Sequence, residues 1–206
     1  MTYRFSFILA LICAAVGYCL GNLQSAVIVS KLQYRQDIRH YGSHNAGTTN
    51  MLRVYGSSPG ILTFVGDFLK MVISVLLGRA FMGTLGGYIA GAFTVIGHCY
   101  PYYADFRGGK GAASLLAFTW MVYPLAGLCV TAAAVGAFFL WKRVSVSSLL
   151  GGLVFVILVL VFRRNDIALV IFAVLLYSFM CFRHKDNIRR LIRGEEPKLE
   201  IKGVKM

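Results

Sequence analysis

Three short segments hold most of the residues that could do chemistry, in a chain whose remainder is strongly apolar. The first is Gly42-Ser43-His44-Asn45-Ala46-Gly47-Thr48-Thr49-Asn50-Met51-Leu52-Arg53. Its hydroxyls and amides are short hydrogen-bonding groups, its glycines let backbone approach a ligand closely, and Arg53 carries a fork that can hold a phosphate at two points. The second is Phe106-Arg107-Gly108-Gly109-Lys110-Gly111. It reads as a nest of backbone amides with a lysine beside it, at the start of the next apolar run, where a helix N-terminus favours anions. It is not a P-loop: Ala104 stands where the first glycine belongs and Gly111 where a magnesium-binding Ser or Thr is needed. The third is His184-Lys185-Asp186-Asn187-Ile188-Arg189-Arg190-Leu191, in which His184 and Asn187, three apart, share a helical face. Taken alone, each segment also fits a polar connecting loop, with Ser, Thr and Asn as helix caps and the tail arginines on an interfacial helix that meets anionic lipid. That lipid-binding reading is the preferred one for Arg189, Arg190 and Arg193.

The elements that must position these segments are membrane helices. The chain has 206 residues, 58% of them hydrophobic and 14% charged, with a mean hydropathy of +0.69. A soluble domain could not bury that much apolar surface. Uncharged runs fall at about 5–30, 80–104, 111–141, 144–162 and 167–182, and another, roughly 60–78, carries Asp67 and Lys70. As a single helix the 111–141 run would be roughly 46 Å long against a hydrocarbon core of about 30 Å. Pro124 near its middle predicts a break and two shorter spans. Seven spans then result, and the loops alternate. One face receives Lys31, Arg35, Arg39, Arg53, Arg107, Lys110, Lys142, Arg143 and the tail from Arg183, while the other receives Arg4, Arg79, Arg163 and Arg164. That is sixteen cations against four. Positive loops mark the cytoplasm, so the expected architecture is an all-α, seven-helix integral membrane bundle with the N-terminus outside and the C-terminus cytoplasmic. All three polar segments then lie on the cytoplasmic face. The first run lacks a small-x-small cleavage pattern and reads as a retained span, and 1–206 reads as one domain. The tail, Gly194–Met206, is expected to be mobile beyond Pro197.

The formal charge of +13 reflects cations flanking apolar runs and filling the tail, a pattern for anionic headgroups and not for nucleic acid. The five cysteines have no ligand spacing and read as small buried hydrophobes; the dispersed carboxylates give no metal site. Asp67 and Lys70 predict an intramembrane ion pair that organises the bundle, and His98 a structural hydrogen-bonding group. No His-x4-Asp motif and no Asp-rich phosphotransferase motif is present. A transporter for an organophosphate anion would use similar loops, but the outward face lacks a matching basic site.

With these segments in order, the chain resembles the bacterial acyl-phosphate:glycerol-3-phosphate acyltransferases. Gly42 to Arg53 meets the pattern Gly-Ser-x-Asn-x-Gly-x-Thr-Asn-x-x-Arg. His98, Pro101 and Phe106 to Gly111 meet His-x-x-Pro followed by Phe-[Lys/Arg]-Gly-Gly-Lys-Gly, and His184 to Glu196 meets the third motif. The Asp67–Lys70 pair and the serines after Arg143 are also like the family. It departs at His44, where glycine is usual, and at Asn22-Leu23-Gln24, where Ser-Ile-Pro is frequent. The resemblance implies transfer of a fatty acyl group from acyl phosphate to the 1-hydroxyl of glycerol 3-phosphate, giving lysophosphatidic acid. Ser43, Asn45, Arg53, Gly109, Lys110 and Ser145 would hold phosphate. Lys110, Arg53, His184 and Asn187 would serve catalysis, the last two positioning the glycerol end. No cofactor or metal is implied. The implied setting is the bacterial inner membrane with the site facing the cytoplasm. The protein is expected to be monomeric, surrounded by lipid and supplied by a cytosolic enzyme that makes acyl phosphate.

Overall fold

In the computed structural model, residues 3–201 are described. Lys202 and Lys205, counted above with the tail, lie outside them, as does the side chain of Arg4. Among the described residues the regular elements are all helical: α1 (Tyr3–Asn22), α2 (Ser25–Tyr34), α3 (Thr48–Tyr55), α4 (Ser57–Cys99), α5 (Ala112–Val122), α6 (Pro124–Trp141), α7 (Val144–Phe162), α8 (Ile167–Arg183) and α9 (Lys185–Ile192). Four helical stretches are long and apolar enough to cross a membrane, or five if the bent pair α8–α9 is taken as one.

α4 is a hairpin. Its helical path breaks at Met82 and Gly83, where Gly83 takes φ 63, a left-handed conformation that glycine adopts without strain. The arms, 57–81 and 84–99, run antiparallel. Gly78 packs against Gly86, Ser74 Oγ donates to Ala90 O at 3.1 Å, and Lys70 meets His98. α1 lies along the second arm, with Gly17 against Ala90, Gly21 against Thr94 and Gly97 against Tyr18. Small residues at these contacts let the backbones approach closely, as in lipid, where close packing replaces the hydrophobic effect between helices. Any β-carbon at Gly17, Gly21 or Gly97 would collide with a facing carbonyl.

Pro124 divides the 111–141 run as its missing N–H and fixed φ require: α5 ends at Val122 and Pro124 opens α6. α5 has 11 residues, about 16 Å of helix, and the rest of the bundle closes around it. Phe118 on α5 meets Tyr88 and Phe155 edge-on, and the Tyr88 hydroxyl donates to Asp166 Oδ2 at 2.8 Å. Asp166 also caps α8 through Leu169 N–H.

Two expectations are corrected. Cys19 is exposed; Cys13 and Cys99 are buried, and Cys129 and Cys181 intermediate. The tail is held beyond Pro197, because Leu199 is 5% exposed and its N–H donates to Lys142 O at 2.8 Å. That bond straps the tail across the α6–α7 turn.

Candidate active site

The first loop is shaped by one buried side chain. Asn50, in the first turn of α3, accepts Ser43 N–H at Oδ1 and donates from Nδ2 to Tyr41 O at 2.9 Å, Asn45 O at 3.1 Å and Ile38 O at 3.3 Å. A single amide therefore fixes both ends of the 42–47 turn, and Gly42, at φ 61, packs against it. Asn50 is scaffold and does not line the cavity, whereas Ser43, His44, Asn45, Thr48, Thr49 and Arg53 of the same segment do. Arg39 grips Asp37 in a bidentate pair and donates to Ala104 O at 2.7 Å. This bond joins the first loop to the second.

The second loop is gripped from both sides. Gly108 N–H donates to Cys99 O and Gly109 N–H to His98 O, at 3.2 and 3.0 Å, while Arg183 donates to Gly109 O at 3.0 Å. The Gly109 amide, placed among the phosphate ligands on resemblance, is therefore already paired, and so is that of Gly108. Both glycines serve packing, since a β-carbon on Gly108 would strike His98 O and one on Gly109 the His98 ring. The donors left for an anion are Lys110 Nζ, the Arg107 guanidinium and the first amides of α5, whose Gly111, Ala112 and Ala113 line the cavity.

Lys110 Nζ donates to Asn187 Oδ1, Asn187 Nδ2 donates to Glu196 Oε1 at 2.6 Å, and Arg190 Nε donates to Glu196 Oε2 at 2.7 Å. Burial alone would raise the Glu196 carboxyl, but hydrogen bonds from Asn187 and Arg190 outweigh it and hold it below the usual range. Glu196 is thus an ionised anchor, 6% exposed, that turns Asn187 to present its oxygen to Lys110. Only its position inside the third motif marked it in the sequence. Arg190, read there as a lipid-facing cation, lines the cavity instead.

His184 caps the end of α8. Its Nδ1 lies 2.8 Å from Met180 O, which can only accept, so Nδ1 carries the proton and Nε2 keeps a lone pair. Burial, with Lys110 and Arg183 nearby, pushes its pKa down to about 4, leaving it neutral at ordinary pH. Arg183 also lies over the Tyr100 ring at 4.7 Å.

These groups border one cavity of about 1430 Å³ that Ser43, Asn45, Arg53, Lys110, Ser145, His184 and Asn187 all line. Thr48 Oγ1 is buried there with no partner among the described residues, Ser145 Oγ lies beside the Glu196 carboxylate, and the Arg53 side chain makes no hydrogen bond or ion pair among the described residues. Deeper in, the lining becomes apolar, with Leu115, Val130, Ala134, Gly151 and Met180. A cationic mouth above an apolar lobe suits an amphiphile with an anionic head.

The profile of the family described as glycerol-3-phosphate acyltransferase matches residues 11–194. This chain belongs to that family. It is an acyltransferase. It is 40% identical to the glycerol-3-phosphate acyltransferase of Finegoldia magna, covering 97% of this chain and 98% of the relative. It is 42% identical to that of Thermoanaerobacter pseudethanolicus, covering 92% and 96%. Among solved structures it is similar to PlsY (YgiH), an integral membrane glycerol 3-phosphate acyltransferase, in its glycerol 3-phosphate form. The TM-score is 0.87 at 30% identity, over 93% of this chain and 96% of that one. The lysophosphatidic acid form of PlsY matches with a TM-score of 0.83 at 31% identity, over 92% and 94%.

Both departures of this acyltransferase from the family pattern have a structural reading. Gln24 is fully buried and donates from Nε2 to His98 O at 3.1 Å. His44 sits at φ 57, a left-handed conformation that strains a residue with a β-carbon. His44→Gly removes that strain and, the site being a solvent-facing turn, should leave stability unchanged or raise it by up to about 1 kcal/mol. Thermal unfolding in detergent reads this directly, and a clear loss of stability would show that the His44 side chain is needed.

Proposed function

We propose that this acyltransferase moves a fatty acyl group from acyl phosphate to the 1-hydroxyl of sn-glycerol 3-phosphate. It would release lysophosphatidic acid and inorganic phosphate as the first step of phospholipid synthesis. The carrying observation is the cavity itself, with Lys110, Arg53, Arg183 and Arg190 around a mouth that opens onto an apolar lobe. The solved relatives support it, because one is a glycerol 3-phosphate form and the other a lysophosphatidic acid form, a substrate and a product of that transfer.

In the reaction the 1-hydroxyl oxygen attacks the acyl carbon, and the bond from that carbon to the phosphate oxygen breaks. Phosphate leaves with the electron pair. Acyl phosphate is an activated anhydride, so positioning and charge stabilisation by Lys110 and Arg53 suffice without a covalent nucleophile. Ser43, Asn45 and Ser145 complete the phosphate contacts. Asn187 and His184 hold the glycerol end, with His184 Nε2 accepting the hydroxyl hydrogen bond. A histidine with a pKa of about 4 is a weak base at neutral pH, so the hydroxyl proton passes to a substrate phosphate. If His184→Ala abolished turnover with glycerol 3-phosphate binding intact, the proton would have to go to His184 instead.

The pH profile tests both assignments. Protonation of His184 should give no acid limb until pH nears 4. Burial first, then Arg190 nearby, lowers the Lys110 pKa, so the needed cation is lost as pH rises, sooner than for an ordinary lysine. Lys110→Arg, which keeps its charge, should remove the alkaline limb from kcat/KM. An unchanged limb would assign it to another group.

Seven spans, an outside N-terminus and a cytoplasmic C-terminus complete the proposal, with 1–206 as a single acyltransferase domain in the bacterial inner membrane. The site faces the cytoplasm, where a soluble enzyme supplies acyl phosphate to a monomer in lipid. The two arms of α4, the break before Pro124 and the sixteen-to-four cation asymmetry support this topology. The decisive assay offers labelled glycerol 3-phosphate with acyl phosphate or acyl-CoA to the purified protein in lipid. Lysophosphatidic acid should form from acyl phosphate alone. Equal product from acyl-CoA would overturn the donor, and none from either would overturn the function.

A further inference from the structure

Beneath the second loop lies a polar cluster that the reaction above does not use. Lys70 Nζ donates to Leu23 O at 2.7 Å and to Gly21 O at 3.3 Å, meets His98 Nδ1 at 2.9 Å, and forms an ion pair with Asp67 Oδ1 at 2.9 Å. Ser25 Oγ donates to Asp67 Oδ1 at 2.9 Å. Asp67, Lys70 and His98 are 1%, 4% and 3% exposed. An ammonium has donors only, so His98 Nδ1 accepts from it, and the longer 3.5 Å separation from Asp67 is not the bond that sets the tautomer. The proton is on Nε2, at the edge that abuts Gly109. The His98 carbonyl accepts both Gly109 N–H and Gln24 Nε2–H.

We infer that the buried Asp67–Lys70–His98 network is a positioning device for Lys110. It ties the C-terminal end of α1 and both arms of α4 to His98, and His98 meets the residue before Lys110 with its ring and with its carbonyl. The network thereby fixes how far Lys110 Nζ reaches into the cavity. A bundle-organising ion pair alone would need neither the histidine nor the collision that forbids a side chain at position 109. His98, Asp67 and Lys70 act through Gly109 and Lys110, and none of them is assigned contact with the reacting atoms.

This inference rests on Lys110 holding the glycerol 3-phosphate or acyl phosphate group, and the experiment separates the two failures. Wild type, Lys110→Ala, His98→Ala and His98→Asn would be assayed in the same lipid, with folding checked by thermal unfolding. His98→Ala should raise KM for the phosphate substrate about ten- to hundredfold, as for a displaced positioning group, with kcat much less affected. Asn offers Oδ1 to Lys70 in place of Nδ1, so His98→Asn should recover part of that loss. Gly109→Ala should be severely impaired in the wild-type background and less so beside His98→Ala, a non-additivity that marks direct contact. A folded His98→Ala enzyme with wild-type KM, or additive effects of the two substitutions, overturns the inference. An active Lys110→Ala enzyme overturns the reading beneath it. If His98→Ala does not fold, His98→Asn and the kinetics of Gly109→Ala decide: unchanged KM in both overturns the inference.

Discussion

Lys110→Ala should lower kcat/KM by about 10³-fold, the scale expected when a preorganised charge is removed from an oxyanion or phosphate site. Three observations place it at the top of the scale. The side chain is half-buried, so its charge acts in a medium where electrostatic interactions are stronger than in water. Its Nζ is aimed by Asn187, which is itself held by Glu196, so the charge would need no reorganisation to meet a phosphate group in the proposed reaction. The first amides of α5 beside it cannot replace a full charge. The fold should survive, because Lys110 makes one side-chain hydrogen bond and its truncation leaves only Asn187 Oδ1 unpaired. Steady-state rates and thermal unfolding of the same preparations check both halves. A loss below about tenfold would move the phosphate to Arg53 and Arg183.

Lys70→Met should have the largest effect on stability. Removing one partner of a buried ion pair costs about 3–5 kcal/mol, because the remaining charge is left without compensation. Asp67 would keep the Ser25 hydroxyl, but the ammonium that also closes the end of α1 through Gly21 O and Leu23 O would be gone. For a chain of this size the loss corresponds to a fall in Tm of about 10 °C. Asp67→Asn with Lys70→Gln removes both charges together and should be much milder than Lys70→Met alone. Equal losses in the two variants would mean that the charges are not coupled.

The convergence of three loops was legible in the sequence because glycine, asparagine and arginine are conspicuous in an apolar chain. The break at 123–124 was legible because proline has one mechanical meaning there. The Asp67–Lys70 pair was legible from its spacing, and the 2.9 Å separation in the structure agrees. Pairing across the fold was not legible. Nothing in Phe-Arg-Gly-Gly-Lys-Gly shows that the Gly109 amide meets a carbonyl from the end of α4, so the glycines read as ligands when they are clearances for His98. Asn50 read as one hydrogen-bonding residue among several, although its three carbonyl partners make it the frame of the loop. Leu199 read as mobile tail and Glu196 as no more than the last residue of the third motif, since no local pattern reveals that a carboxylate 9 residues after Asn187 turns back onto it.

The strap formed by that tail sets the order in which the enzyme becomes competent. The bonds that aim Lys110 reach forward 77 residues to Asn187 and then to Glu196, both of which follow the last long apolar helix. During synthesis, at about 5–20 residues per second, α1 and the α4 hairpin can pack while the lysine still has nothing to point it. The catalytic geometry is therefore a late folding event. Loss of those two bonds would leave Lys110 unaimed while the contacts between α1 and the α4 hairpin stay intact.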